Sequence, residues 1–122
     1  MPGASLFAEQ LRGLGHAVVV DGDWVELDYV APGGTYGGTQ VRLALQVQSD
    51  FPLTPPSGID FKPRMPGRPV NQSGEHPARS APSRRFGEGG EYWSRPHAAW
   101  NTEPVKDART YLVWVNTLWM ST

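Results

Sequence analysis

Apolar positions change their spacing along the chain, and the changes mark out its elements. Leu6, Phe7, Leu11 and Leu14 recur at helical spacing between Ala4 and Leu14, with Ser5 near the start and Gly13 and Gly15 near the end. This predicts a short amphipathic helix. His16 to Val20 is instead rich in β-branched residues, Asp21-Gly22-Asp23 has the composition of a hairpin turn, and Trp24, Val25, Leu27, Tyr29 and Val30 continue as a second strand. Thr39 to Gln48 sets Val41, Leu43, Leu45 and Val47 against Gln40, Arg42, Gln46 and Gln48, with Ala44 on the polar side, so a third strand with one buried and one wet face is expected. Val105, Ala108, Tyr111, Leu112, Val115, Leu118 and Trp119 return to helical spacing and predict a final helix from about Glu103 to Trp119. Thr102 is placed to cap it, and Glu103 and Asp107 lie near the positive end of its dipole.

Between these periodic stretches the chain is punctuated by glycine and proline. Ala31 to Gly38 holds four glycines and one proline and suits a mobile loop. Phe51-Pro52-Leu53-Thr54-Pro55-Pro56 cannot be a central strand, because each proline removes a ladder donor, and it reads as a rigid corner leading to a short fourth strand at Ile59-Asp60-Phe61. From Lys62 to Gly90 the chain is mainly Pro, Gly, Ser, Arg and Glu without a period, which predicts a long irregular loop, followed by an aromatic island of Tyr92, Trp93 and Trp100. Helix, strands and helix in that order indicate an α+β fold: an N-terminal helix, a four-stranded antiparallel meander, a long irregular segment and a C-terminal helix packed on the sheet. There is no internal repeat, and residues 1–122 read as one domain.

Composition narrows the function classes. Eleven basic against twelve acidic residues leave a formal charge of -1, with no long run of one sign, so neither nucleic acid nor a membrane surface is an expected partner. The densest basic stretch, Arg79, Arg84 and Arg85, is set among Pro, Ser and Ala and reads as a solvated loop, the alternative being a local patch that binds anions. The sequence has no cysteine, which removes disulfides, thiolate nucleophiles and Cys-ligated zinc together. No secretory signal is evident at the first residues. The longest apolar run, Tyr111 to Val115, falls far below the roughly 20 residues needed to cross a bilayer, so a cytoplasmic location is the expectation.

The order of elements, with Phe51-Pro52-Leu53-Thr54-Pro55-Pro56 between the third and fourth strands, resembles the ubiquitin-conjugating-enzyme-like (UBC-like) fold and its aromatic-Pro-x-x-Pro-Pro element. Glu75-His76-Pro77-Ala78 half-matches that family's His-Pro-Asn segment, with Ala78 in place of the asparagine, and the family's catalytic cysteine is missing. Tyr92-Trp93-Ser94-Arg95-Pro96-His97, followed by Trp100, is similar to the Trp-Ser-Arg-His segment of a cysteine-poor bacterial branch known as prokaryotic family E, with Pro96 inserted before the histidine. The resemblance runs from about Val41 to Trp119. It implies a component of a bacterial ubiquitin-like modification pathway, with an activating-enzyme-like protein and a ubiquitin-like modifier as partners and no cofactor.

Two sets of residues are candidates for function. Phe51, Pro52, Pro55, Pro56, Trp93 and Trp100 form a candidate surface for docking a partner chain, with Phe51 and Trp24 also suited to the core. Ser94, Arg95 and His97, with His76, are the candidate catalytic groups: a nucleophile, an anion stabiliser and a base for acyl transfer through a Ser94 oxyester, provided that the base comes within about 3 Å of the hydroxyl. The alternative for the same residues is structural: Trp93 plugs the core, Arg95 pairs with a carboxylate and His97 caps the entry to the final helix. His16, His76 and His97 do not pair at i+3 or i+4, and no metal site is expected. Gly33-Gly34-Thr35-Tyr36-Gly37-Gly38 resembles a phosphate cradle only in composition, since it lacks the P-loop lysine and does not lead into a helix. A peptide-binding or structural domain unrelated to modification is the third reading.

Overall fold

The computed structural model describes residues 3–67 and 78–122. Helix α1 (Ala4–Gly13) buries Ala4, Phe7, Ala8 and Leu11, an i, i+3, i+4, i+7 face that shares Phe7 and Leu11 with the expected one, while Leu6 is half-buried. It starts at Gly3 and stops at Leu14, whose side chain is exposed. Strands β1 (Val18–Asp21) and β2 (Trp24–Val30) form a hairpin in which Asp21 faces Trp24 across a two-residue turn, and Gly22 supplies the positive φ that turn requires. Strand β3 (Gln40–Gln46) and strand β4 (Gly58–Lys62) continue the meander.

The meander is extended where a loop was expected. Strand β5 (Arg79–Ser83) and strand β6 (Gly87–Ser94) form a second hairpin, so that among the described residues one antiparallel sheet has six strands in the order β1-β2-β3-β4-β6-β5. The expectation of four strands is corrected accordingly, and that of an irregular segment over residues 62–90 is corrected at residues 79–83 and 87–90; residues 63–67 hold no helix or strand, and residues 68–77 lie outside the described ones. Alternation fails as a signal here because β5 contains a proline and β6 opens on three glycines in four residues. Their backbones pair, but few side chains are available to trace a period. Pro82 is confined to the edge strand, where a missing donor is tolerated, and the ladder is irregular between Pro82 and Ser83.

Helix α2 (Ala108–Met120) covers the sheet face built from Val25, Leu27, Tyr29, Val41, Leu43, Leu45, Ile59, Phe61 and Trp93, and buries Tyr111, Val115, Leu118 and Trp119. Trp119 lies 4.5 Å from Trp93 and 5.0 Å from Phe61 between ring centroids, making an aromatic centre to the core. The helix begins five residues later than Glu103. Residue Glu103 is extended ahead of Pro104, as the residue before a proline prefers, and Asp107 becomes the cap by accepting Thr110 N at 2.8 Å. Thr102 instead ends a 3-10 turn (Trp100–Thr102), and Val105 is exposed rather than buried. The Ala31–Gly38 loop is docked: Tyr36 is buried with its hydroxyl on Pro66 O at 3.0 Å, and Thr35 N donates to Thr122 O at the end of α2. Among the described residues no helix is long and apolar enough to cross a membrane.

Candidate functional site

The proline corner is held from two sides. Phe51 is fully buried against Phe7 at 5.0 Å and Trp100 at 6.2 Å, Gly3 N donates to Phe51 O, and Trp100 Nε1 donates to Pro52 O at 2.9 Å. Thr54 Oγ1 donates to Asp50 Oδ2 at 2.7 Å and closes the turn that carries Leu53. Phe51, Pro56, Trp93 and Trp100 are buried and Pro52 and Pro55 half-buried, so the candidate docking residues mostly shape the corner from below. The residue they present outward is Leu53, 72% exposed, which sequence reasoning passed over because a lone leucine between prolines has no pattern.

The corner feeds directly into the pairing of β4 with β6. Gly58 faces Ser94 and Ile59 faces Trp93, which brings the two motifs of the sequence to one end of the sheet. A side chain at Gly58 would overlap the carbonyl of Trp93, so the close approach of these strands requires glycine. Trp93 points into the core with its indole N–H on Glu91 Oε2 at 2.9 Å. Glu91 is itself buried and also accepts Met65 N at 2.7 Å and Ser80 Oγ at 3.0 Å, so three donors replace the water a carboxylate would otherwise hold.

Ser94, Arg95 and His97 are close in sequence but share no hydrogen bond or ion pair with one another among the described residues. Arg95 is exposed and makes no ion pair among the described residues. The imidazole of His97 stacks on Trp114 at 4.8 Å with rings 10° apart, and its Nε2 lies 3.2 Å from Glu103 Oε1. No hydrogen bond joins His97 to the Ser94 hydroxyl. His97 therefore ties the segment after β6 to α2 through Trp114 and to the lead-in of that helix through Glu103. His76 lies outside the described residues.

A second cluster, on the sheet face away from the helices, was not anticipated. Asp60 is fully buried there; its Oδ2 accepts Ser83 Oγ and Arg84 N, and its Oδ1 accepts Arg84 Nη2 at 2.7 Å. The Arg84 guanidinium lies 3.7 Å over the Tyr92 ring and 5.4 Å from that of Trp24. Arg85 reaches further, to Glu26 at 2.6 Å and Asp21 at 2.8 Å, while Arg42 bonds Glu26 and Asp28. The hydrogen bonds that Arg85 donates to Asp21 and then to Glu26 raise its pKa further, against its partial burial. Arg84 and Arg85 are thus not a solvated loop, as their composition suggested. The turn that carries them straps the outer face, and it is why Ala44, on the polar side of its strand, is buried. No protein-family model matches the chain, and neither a curated protein nor a solved structure is significantly similar to it.

Proposed function

We propose that the chain is a cysteine-less UBC-like component of a bacterial ubiquitin-like modification pathway, which binds an activating-enzyme-like protein, a ubiquitin-like modifier, or both, and forms no thioester. The observation that carries this reading is the proline corner: a fixed turn, pinned by the Trp100–Pro52 hydrogen bond, that offers Leu53 to solvent beside the exit of β6. An apolar residue on a rigid turn loses little conformational freedom when a partner covers it, which favours docking. The first helix, the meander with its proline corner and the final helix keep the order the resemblance implies, with the β5–β6 hairpin as a departure from its four strands, and the absence of cysteine leaves binding as the retained role.

The experiment is a titration of the purified protein with an activating-enzyme-like protein and a modifier encoded beside its gene. Binding at tens of micromolar or tighter is expected, with Leu53→Asp weakening it about tenfold or more while leaving the fold intact. Failure of both partners to bind at such concentrations overturns the reading. The oxyester alternative has less support, because the base that would serve Ser94 is engaged by Glu103. It requires a hydroxylamine-sensitive adduct with the modifier that disappears in Ser94→Ala.

A further inference from the structure

The six-stranded sheet ends in two unlike edges. At one, β5 carries Pro82 and an irregular ladder between Pro82 and Ser83, features that oppose a further strand alongside it. At the other, β1 reads Val-Val-Val-Asp in regular register with β2, without proline, lysine or bulge, and leaves Val19 54% and Val20 37% exposed.

The register fixes which backbone groups of the β1 edge are free. Val47 N donates to Asp23 O and Ala31 N to Thr39 O, one bond at each end of the β2–β3 ladder, so the odd-numbered residues of β2 turn their amides and carbonyls to β3. The even-numbered Trp24 and Glu26 therefore bond Asp21 and Val19, and Val18 and Val20 turn theirs outward. Arg12 Nη2 donates to Val18 O at 3.1 Å, whereas the N–H and C=O of Val20 have no protein partner among the described residues. A donor and an acceptor on one outward residue are what an antiparallel strand needs opposite it. With Val20 of two copies face to face, each N–H meets the other's C=O.

Charge selects that second copy. In this register Val18 of one copy stands opposite Gly22 of the other, so Arg12, held on Val18 O, comes beside the other copy's Gly22-Asp23 turn. Arg12 bonds only a neutral carbonyl and Asp23 only the neutral amide of Gln46, so among the described residues neither charge is paired within the chain. Symmetry makes the contact twice, each copy giving one cation and one carboxylate. Joining β1 to β5 of another copy would continue without closing, and Pro82 opposes it.

We propose that the chain pairs with a second copy through the outer edge of β1, antiparallel about a twofold axis at Val20, with Arg12 of each copy against Asp23 of the other. The two sheets then become one of twelve strands, twice the six of a single copy. This inference is independent of the pathway reading.

Sedimentation equilibrium of the full chain from about 10 μM to 1 mM tests it, a range suited to a small interface. The expected result is a mass rising from 13.4 kDa toward twice that value. Val20→Lys sets two cations face to face on the axis and should abolish the rise with an unchanged circular dichroism spectrum. Arg12→Glu and Asp23→Lys should each weaken self-association about tenfold, through a few-fold loss at each of two symmetric contacts. An equimolar mixture of these two variants restores both contacts and should associate like the parent. Because the chain has no cysteine, Val20→Cys places two thiols on residues whose Cα atoms lie about 5.5 Å apart across the axis, and they should cross-link on mild oxidation. Val113→Cys, exposed on α2, should not. A mass that stays monomeric, a Val20→Lys protein that still dimerises, a mixture no better than either variant alone, or equal cross-linking by both thiols overturns the proposal. A chain that stays monomeric but whose Val20→Lys variant loses capture of the modifier or activating-enzyme-like protein assigns the edge to a strand of that partner, and also overturns it.

Discussion

Gly34 shows how a single residue ties a loop to the end of a helix. Its φ of +76° lies in the region that L side chains avoid, and a Cβ there would overlap the carbonyl of Trp119 and the hydroxyl of Thr122. Gly38 has a φ of +86° but open space around it. The two positions therefore separate conformational strain from steric overlap. Gly38→Ala should cost about 1 kcal/mol, the strain alone, whereas Gly34→Ala should cost about 2–4 kcal/mol because the loop must also lift from α2. Urea denaturation of both variants checks this, and equal costs would mean that the loop is not docked on α2. The same glycines read as a mobile loop in the sequence, because composition reports conformational freedom and is silent on a contact 85 residues away.

Among the elements, the β5–β6 hairpin depends most on charge. Its turn is held over the outer sheet face by Arg84 on a fully buried Asp60, with Arg85 on Glu26 and Asp21 as a more exposed second attachment. Arg84→Met leaves the Asp60 carboxylate buried without its cation, which should cost about 3 kcal/mol. Adding Asp60→Asn removes the stranded charge while keeping an oxygen for Ser83 Oγ and Arg84 N, so the double variant should regain about 1–2 kcal/mol. Denaturation at pH 7 measures both, and amide exchange over residues 83–90 should quicken in the single variant most. A double variant no more stable than the single one would show that the ion pair does not hold the strap.

This hairpin also marks the limit of what the chain discloses before folding. Helix α1 and strands β2 and β3 were legible because each has one mainly buried face, and burial writes a period into the sequence. The mostly exposed β1 was legible from its β-branched run, and β4, buried on both faces, only as a short stretch bounded by prolines. Strand β6 spans Gly87-Glu88-Gly89-Gly90 before its first large side chain, and β5 is Arg-Ser-Ala-Pro-Ser, so their pairing rests on backbone hydrogen bonds that no side-chain pattern records. The start of α2 was misplaced for a related reason: Thr102 and Asp107 both have cap chemistry, and only the extended Glu103-Pro104 step decides between them. Of the candidate site, the proline corner and its neighbour Trp100 were legible as a motif. The engagement of His97 by Trp114 on α2 and by Glu103 ahead of it was not, since no spacing in the sequence brings those three together.

For the molecule as a whole, two buried phenols span the layers and make its stability sensitive to alkaline pH. Tyr29 on β2 donates its hydroxyl to Asn116 Oδ1 on α2 at 2.6 Å, and Tyr111 on α2 donates to Gly58 O on β4 at 3.3 Å. Burial raises both pKa values well above the ordinary phenol, and for Tyr111 the nearby Tyr92 adds to the rise while Arg84 opposes it. In the unfolded chain both phenols lose their protons near pH 10, whereas in the folded chain they keep them, so the folded state binds more protons and stability falls as pH rises above about 10. The contribution is fully present below that pH. Each phenol should then cost up to about 1.4 kcal/mol per pH unit. Tyr111→Phe forfeits one hydrogen bond at neutral pH, about 1 kcal/mol, yet its stability should decline less steeply between pH 10 and 11 than that of the parent. Urea midpoints at pH 8, 10 and 11 read the two slopes directly. Parallel declines in parent and variant would mean that Tyr111 ionises as freely in the folded protein as in the unfolded chain, and that contact between α2 and the start of β4 is open to solvent.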